Sequence, residues 1–301
     1  MPGAVHGNIP SPKCDFPLWT EILSIGQMRH AFTYLATCLA LISAAPASAG
    51  SGLPSAPDDI ARIELLPGWR TATGEHMAAL RIELAEGWKT YWRAPGDSGI
   101  PPSFDLKTSE NVGHVEFHWP VPDVFVEGGV RTIGYKEELV LPMTITPGTA
   151  GAPIKLSGDL QFGVCLDICM PMQASLSMAL PTGAATQNRA IKKALQARPD
   201  TSREAGVKKA LCSFEPLRDG LRVRAEIHMP RLAPNEVVVL ETADPEVWVA
   251  EVDSRREGGR IIAETDIVPP KGSAFALNRS ELRFTVLGAG RGVDILGCTG
   301  G

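Results

Sequence analysis

Apolar residues recur at every second position through much of the chain. Leu80, Ile82 and Leu84 alternate with Arg81 and Glu83. Leu139, Leu141, Met143 and Ile145 occupy successive odd positions, and Leu176, Met178 and Leu180 alternate with Ser175, Ser177 and Ala179. Successive side chains of a strand point to opposite faces, so a period of two predicts strands buried on one side. Proline- and glycine-rich stretches such as RAPGDSGIPP and TPGTAGAP punctuate the runs as turns. Residues 58–180 therefore read as many short strands, the pattern of a β-sandwich. The alternation lapses over 181–206, a polar stretch with a short helix predicted near 187–197. It resumes where Leu221, Val223, Ala225 and Ile227 alternate with charged residues, and apolar runs follow at 237–240, 247–252 and 282–287. The expectation is an all-β protein: a β-sandwich within 50–180, a linker over 181–206, and a second, smaller, β-sandwich-like domain over 207–301.

The N-terminal pattern is different. From Met28 the chain reads MRHAFTYLATCLALISAAPASAG: a short basic start, an apolar stretch over 31–44, and Ala47-Ser48-Ala49 as a small-residue cleavage site. That is the layout of a secretory signal peptide over 28–49. Its apolar run is shorter than the roughly 20 residues that span a bilayer. Residues 1–27 read as an upstream extension, and the mature chain is expected to begin near Gly50. No later stretch is long and apolar enough to be a membrane span. A net charge of −5 without a basic block gives no footing for nucleic acid. The expected protein is exported, soluble and periplasmic.

Export changes the meaning of the cysteines. Of six, Cys14 and Cys38 fall in the segment expected to be removed, leaving Cys165, Cys169, Cys212 and Cys298. An even count in an oxidising compartment favours disulfides. A Cys212–Cys298 bond would close a loop of 87 residues, for which chain entropy gives about 4.6 kcal/mol. That pair reads as a structural staple of the second domain. A Cys165–Cys169 bond would close five residues and contribute only about 2 kcal/mol before strain. This close pair has three readings: a local clip, a metal clamp, or a disulfide at an exposed hairpin tip that exchanges with a partner's thiolate. Asp167 lies between the two sulfurs and disfavours a thiolate there. As a clamp, Cys165 and Cys169 with Met170 and Met172 would be a soft set suited to Cu(I). Zinc lacks a fourth ligand nearby. His114, Glu116 and His118 share one strand face opposite Val115, Phe117 and Trp119, and read as its wet side. No nucleophile elbow, phosphate loop, dinucleotide fingerprint or zinc-protease motif is present.

Four segments in order, EGWKTYWRAPGDSGIPPSFDL (86–106), WPVPDVF (119–125), GYKEELVLP (134–142) and GVCLDICMP (163–171), together resemble the N-terminal periplasmic domain of DsbD-type thiol:disulfide interchange proteins. The ScsB-like branch is the nearer likeness. The resemblance implies an immunoglobulin-like β-sandwich with a redox-active pair, Cys165 and Cys169, on a hairpin. It implies a cap in which Phe125 shields the disulfide and Asp123 is a polar neighbour of the sulfurs. Leu166 and Ile168 at the tip would dock partners. It implies no cofactor, a thioredoxin-like or membrane-embedded thiol donor, and a periplasmic disulfide-containing acceptor. Two departures stand out: the spacer between the cysteines is shorter here than in the best-known DsbD domains, and Val124 replaces a second acidic cap residue. The chain also lacks that family's membrane conduit and C-terminal thioredoxin domain, so any donor would be a separate protein.

Overall fold

The alternating runs become strands. The computed structural model describes residues 57–182, 187–270 and 277–300. Among these residues the first ten strands are β1 (Ala61–Arg70), β2 (His76–Leu84), β3 (Lys89–Tyr91), β4 (Ser103–Asp105), β5 (Val112–Phe117), β6 (Asp123–Glu127), β7 (Val130–Lys136), β8 (Glu138–Pro147), β9 (Ile154–Cys165) and β10 (Cys169–Leu180). Helix α1 (Arg189–Gln196) follows. The chain then continues through β11 (Asp200–Thr201), β12 (Lys209–Pro216), β13 (Leu221–His228), β14 (Val237–Glu241), β15 (Trp248–Val249), β16 (Asp253–Glu257), β17 (Arg260–Val268), β18 (Arg283–Gly288), β19 (Arg291–Leu296) and β20 (Thr299–Gly300). The predicted extension, signal peptide and mature start lie outside the described residues.

The protein is predominantly β, in two sheet-rich subdomains. The first pairs an open sheet of order β1-β2-β8-β5 with a second of order β10-β9-β3-β7-β6, in which β4 also pairs with β9. Leu80, Ile82, Leu141, Met143 and Ile145 of one sheet meet Leu160, Phe162, Val164 and Met172 of the other in one buried cluster. Leu80, Ile82, Leu141, Met143 and Ile145 are among the alternating positions that the sequence marks as apolar. The second subdomain repeats the plan with sheets β11-β19-β18-β14 and β15-β17-β13-β12-β20, with β16 also on β17. Its core gathers Val223, Ala225, Ile227, Ile261, Phe284, Val286 and Val293. Cys212 in β12 is bonded to Cys298, just before β20, with Cα atoms 5.8 Å apart.

Helix α1 starts where the Asn188 side chain accepts hydrogen bonds from the N–H groups of Ala190 and Ile191. One turn apart on the same face, Ile191 and Ala194 bury against Met77, Ala79 and Val140, the outward side of β2 and β8. The two subdomains are packed together. Arg93 makes a two-pronged bond to Glu241 at 2.9 and 3.0 Å. Arg131 reaches Glu251 at 2.7 Å and the Val252 carbonyl at 3.0 Å. Leu287 of the second subdomain joins the first subdomain's core.

A buried histidine makes the first subdomain acid-sensitive. His76 is fully buried, its Nε2 2.6 Å from the Pro67 carbonyl, and its Nδ1 has no partner among the described residues. Burial lowers its pKa; the Pro67 bond opposes that, and Arg70 adds to it. The unfolded chain therefore binds this proton more readily. The resulting stability is complete above the unfolded value of about 6.5 and is lost as pH falls below it. The urea midpoint should drop between pH 7.5 and pH 5.5, and His76→Gln should flatten that slope. Equal slopes in the two proteins would remove His76 as the cause.

Candidate functional site: an exposed disulfide beneath an arched hairpin

Strands β9 and β10 run in unbroken antiparallel register from Ile154↔Leu180 to Cys165↔Cys169, leaving Leu166-Asp167-Ile168 as the connecting loop. Directly opposed cysteines at the end of a hairpin are within bonding reach, and here they form a disulfide with Cα atoms 4.1 Å apart. The two ends differ in access. Cys165 is 5% exposed, whereas Cys169 lies on the surface. Beside it, Leu166 is 42% and Ile168 73% exposed, both large apolar groups facing solvent.

Strand parity decides what shares the face with the sulfurs. Val164, Met170 and Met172 alternate with the cysteines and turn to the opposite side: Val164 and Met172 are in the core, and Met170 packs against it. The Cu(I) set is therefore split across the sheet. Among the described residues, no cluster of His, Cys, Asp and Glu is arranged to hold a metal. His114 and Glu116 are exposed on β5, as a wet face requires.

On the cysteine face, β3 contributes Lys89 and Tyr91. Lys89 is the register partner of Cys165 on one side and of Lys136 on the other. Tyr91 is buried and its hydroxyl donates to Cys169 Sγ at 2.9 Å. Burial raises the Tyr91 pKa, and the charge of Glu127 raises it further, so the proton stays on the oxygen. Gly163 makes this placement possible: a Cβ there would lie 2.6 Å from Ile100 Cβ and 2.7 Å from the Tyr91 ring. Any side chain at 163 would displace the tyrosine from the sulfur.

A second hairpin arches over the same face. Strands β6 and β7 are joined by Gly128-Gly129, both at positive φ, the backbone that a tight two-residue hairpin turn requires. Near its tip, Glu127 bonds the Lys89 ammonium at 2.5 Å. The Lys89 side chain is 6% exposed, the Glu127 side chain 60%. That bond and the charges of Lys89 and Lys136 hold the Glu127 carboxyl below its usual range. Phe125 lies between two cations, 5.4 Å from Lys89 Nζ and 4.7 Å from Lys136 Nζ. The residue facing Cys165 in register thus grips the hairpin by a carboxylate and by an aromatic ring. Asp123 is exposed and pairs in register with Gly134. Lys89, Tyr91, Glu127 and Gly163 escape a reading that concentrates on cysteines. The i, i+2 spacing of Lys89 and Tyr91 and the Gly-Gly turn were the signals available.

Residues 62–181 match the family model described as thiol:disulfide interchange protein DsbD, N-terminal. The first subdomain is a DsbD N-terminal domain. The solved N-terminal periplasmic domain of ScsB from Proteus mirabilis has a similar fold, with a TM-score of 0.62 at 23% identity, covering 83% of this chain and 97% of that one. That coverage exceeds the DsbD N-terminal domain alone, so the likeness in fold continues into the second subdomain. Among curated proteins, no sequence matches. No helix of the described residues is long and apolar enough to cross a membrane.

Proposed function

We propose that this is a periplasmic thiol–disulfide exchange protein that passes electrons from a separate donor to a periplasmic acceptor through Cys165 and Cys169. The observation that carries the reading is the unequal exposure of the two bonded cysteines, in a DsbD N-terminal domain, at a tip flanked by apolar Leu166 and Ile168. A donor thiolate attacks Cys169 Sγ, the sulfur–sulfur bond breaks, and Cys165 leaves as a thiolate beside Lys89. The donor's second thiolate then attacks its own sulfur in the mixed disulfide, and Cys169 leaves as a thiolate. The Tyr91 hydroxyl is placed to donate to that thiolate; a charge-assisted bond of this kind contributes about 1.5–3 kcal/mol. The donor ends as a disulfide and this protein as a dithiol, which reduces an acceptor by the reverse steps. Both subdomains fit immunoglobulin-like sandwiches in this proposal, and the donor is thioredoxin-like or membrane-embedded. Equilibration against glutathione tests the reading: an exchanging pair has a reduction potential above about −300 mV, a structural clip one below it.

In the same proposal the β6–β7 hairpin is the cap. Lys89 and Lys136 hold Phe125, and Glu127 latches the tip, so that the hairpin covers the Cys165 side of the disulfide and leaves Cys169 as the sulfur a thiol can reach, with wider access when the hairpin lifts. Phe125→Ala and Glu127→Gln, made separately, should each speed disulfide reduction by dithiothreitol about three- to tenfold, because access limits exchange. Rates equal to the parent's in both variants would rule out the cap.

A further inference from the structure

Away from the redox tip, the two subdomains leave a groove of about 660 Å³ between them. One wall is the loop 93–103 with Arg131 and Ile133; the other is residues 237–242 and 244–252. Six consecutive residues, 237–242, line it. Side chains of a strand alternate in direction, so an unbroken run along the groove means that β14 presents its edge and not one face. That edge is open: β14 pairs only with β18, and among the described residues its other side takes part in no backbone ladder. An unpaired edge in a groove is a template for one more strand.

The charges select what can enter. Arg93 is held by Glu241 and Arg131 by Glu251, so both cations are neutralised. Asp97, Asp244 and Glu246 line the same groove, are exposed, and have no cationic partner among the described residues. The groove therefore carries three uncompensated negative charges. Apolar Pro101, Pro102, Val237 and Val239 lie among them, and Trp248, 51% exposed, completes the lining. An indole beside carboxylates suits a Lys or Arg side chain.

We infer that this groove binds an extended segment of a partner protein, with basic and small apolar residues alternating, as an added strand on β14. The inference that this partner is the redox partner rests on the exchange reading above, and one contact connects the two sites. The groove wall at Gly99 packs on Tyr91, with a Cβ at 99 falling 3.1 Å from the ring, and Tyr91 bonds Cys169. A partner anchored here by a flexible tail would meet the disulfide at a raised local concentration.

The test uses the full exported chain and a fluorescein-labelled eight-residue peptide of alternating Lys and Val, with a Glu/Val peptide and a proline-interrupted Lys/Val peptide as controls. Anisotropy should show saturable binding of the Lys/Val peptide alone, weakened by salt. Asp97→Lys/Glu246→Lys should bind it about tenfold more weakly, since both side chains are exposed and charge is all that changes. The same variant should be reduced by dithiothreitol at the parent rate. No binding, equal binding of the Glu/Val or proline-interrupted peptide, full affinity in the charge-reversed variant, or dimerisation of the chain through β14 would overturn the groove. A failed groove with intact exchange leaves the redox reading standing. Peptide binding to a protein whose disulfide does not exchange leaves the groove and removes the redox partner.

Discussion

Cys165→Ser should accumulate a mixed disulfide with an oxidised partner, and Cys169→Ser should not. The asymmetry follows from burial. With Cys165 gone, the remaining thiol is at the exposed position, beside the Tyr91 hydroxyl, and can attack a partner disulfide. Its product cannot resolve, because resolution requires the sulfur that has been removed. With Cys169 gone, the remaining thiol is at the buried position, behind Lys89 and the hairpin that Lys89 grips. Its yield of mixed disulfide should be lower by about tenfold or more, because exchange demands in-line access to the sulfur. Both variants should lose multiple-turnover exchange completely. Non-reducing gels of periplasmic extracts from the two strains, with Cys212 and Cys298 intact in each, make the measurement. Equal trapping by both would show that the cap does not discriminate between the sulfurs. Trapping by Cys169→Ser alone would invert the assignment and make Cys165 the attacked atom.

What the sequence disclosed, and what it concealed, follows from the range of the interactions. Period two at Leu80, Ile82, Leu139, Leu141 and Met143 depends only on which side of a strand faces water, so it was legible locally. The cysteine pair was legible because five residues of chain already confine both sulfurs. Parity also divides the proposed copper set: Met170 is next to Cys169 in sequence and across the sheet from it in space. That step needed only the strand assignment for 169–172. Lys89 is another matter. It stands 76 residues before Cys165, and only the pairing of β3 with β9 brings them side by side. Its bond to Glu127 then requires the β6–β7 hairpin to bend back over the sheet, which no local pattern encodes. The groove was hidden for the same reason. Asp97 and Glu246 read as unrelated loop residues until two subdomains pack, and β14 reads as an ordinary apolar strand until the sheet order makes it an edge.

The largest change in stability should come from Glu236, at the entrance to that edge strand. Its carboxylate receives Arg256 through two bonds, at 2.5 and 2.8 Å, and the Leu232 N–H at 2.6 Å. Arg256 also donates to the Met229 carbonyl at 3.1 Å. Side-chain exposures of 7% and 4% put this pair in the interior. Burial pushes the Glu236 carboxyl up, but the bonds from Arg256 and Leu232 outweigh it and hold the group below its usual range. Its contribution is therefore present above the unfolded carboxylate pKa and is lost as pH falls through the lowered folded value. Removing one partner leaves the other charged and buried, which costs about 3–5 kcal/mol. Glu236→Ala and Arg256→Ala should each lower the melting temperature by about 10–20 °C. Asp219→Ala, which breaks a pair on the open surface, should shift it by no more than about 1 °C. The apolar double replacement Glu236→Leu/Arg256→Met should regain most of the loss, because it removes both buried charges together. Calorimetry on the four variants decides it. If either single variant melts with the parent, the pair is solvated in solution and contributes nothing to β14. If the double replacement melts as low as the single ones, the loss comes from the hydrogen bonds the two side chains make, to each other and to Leu232 and Met229, and not from a stranded charge.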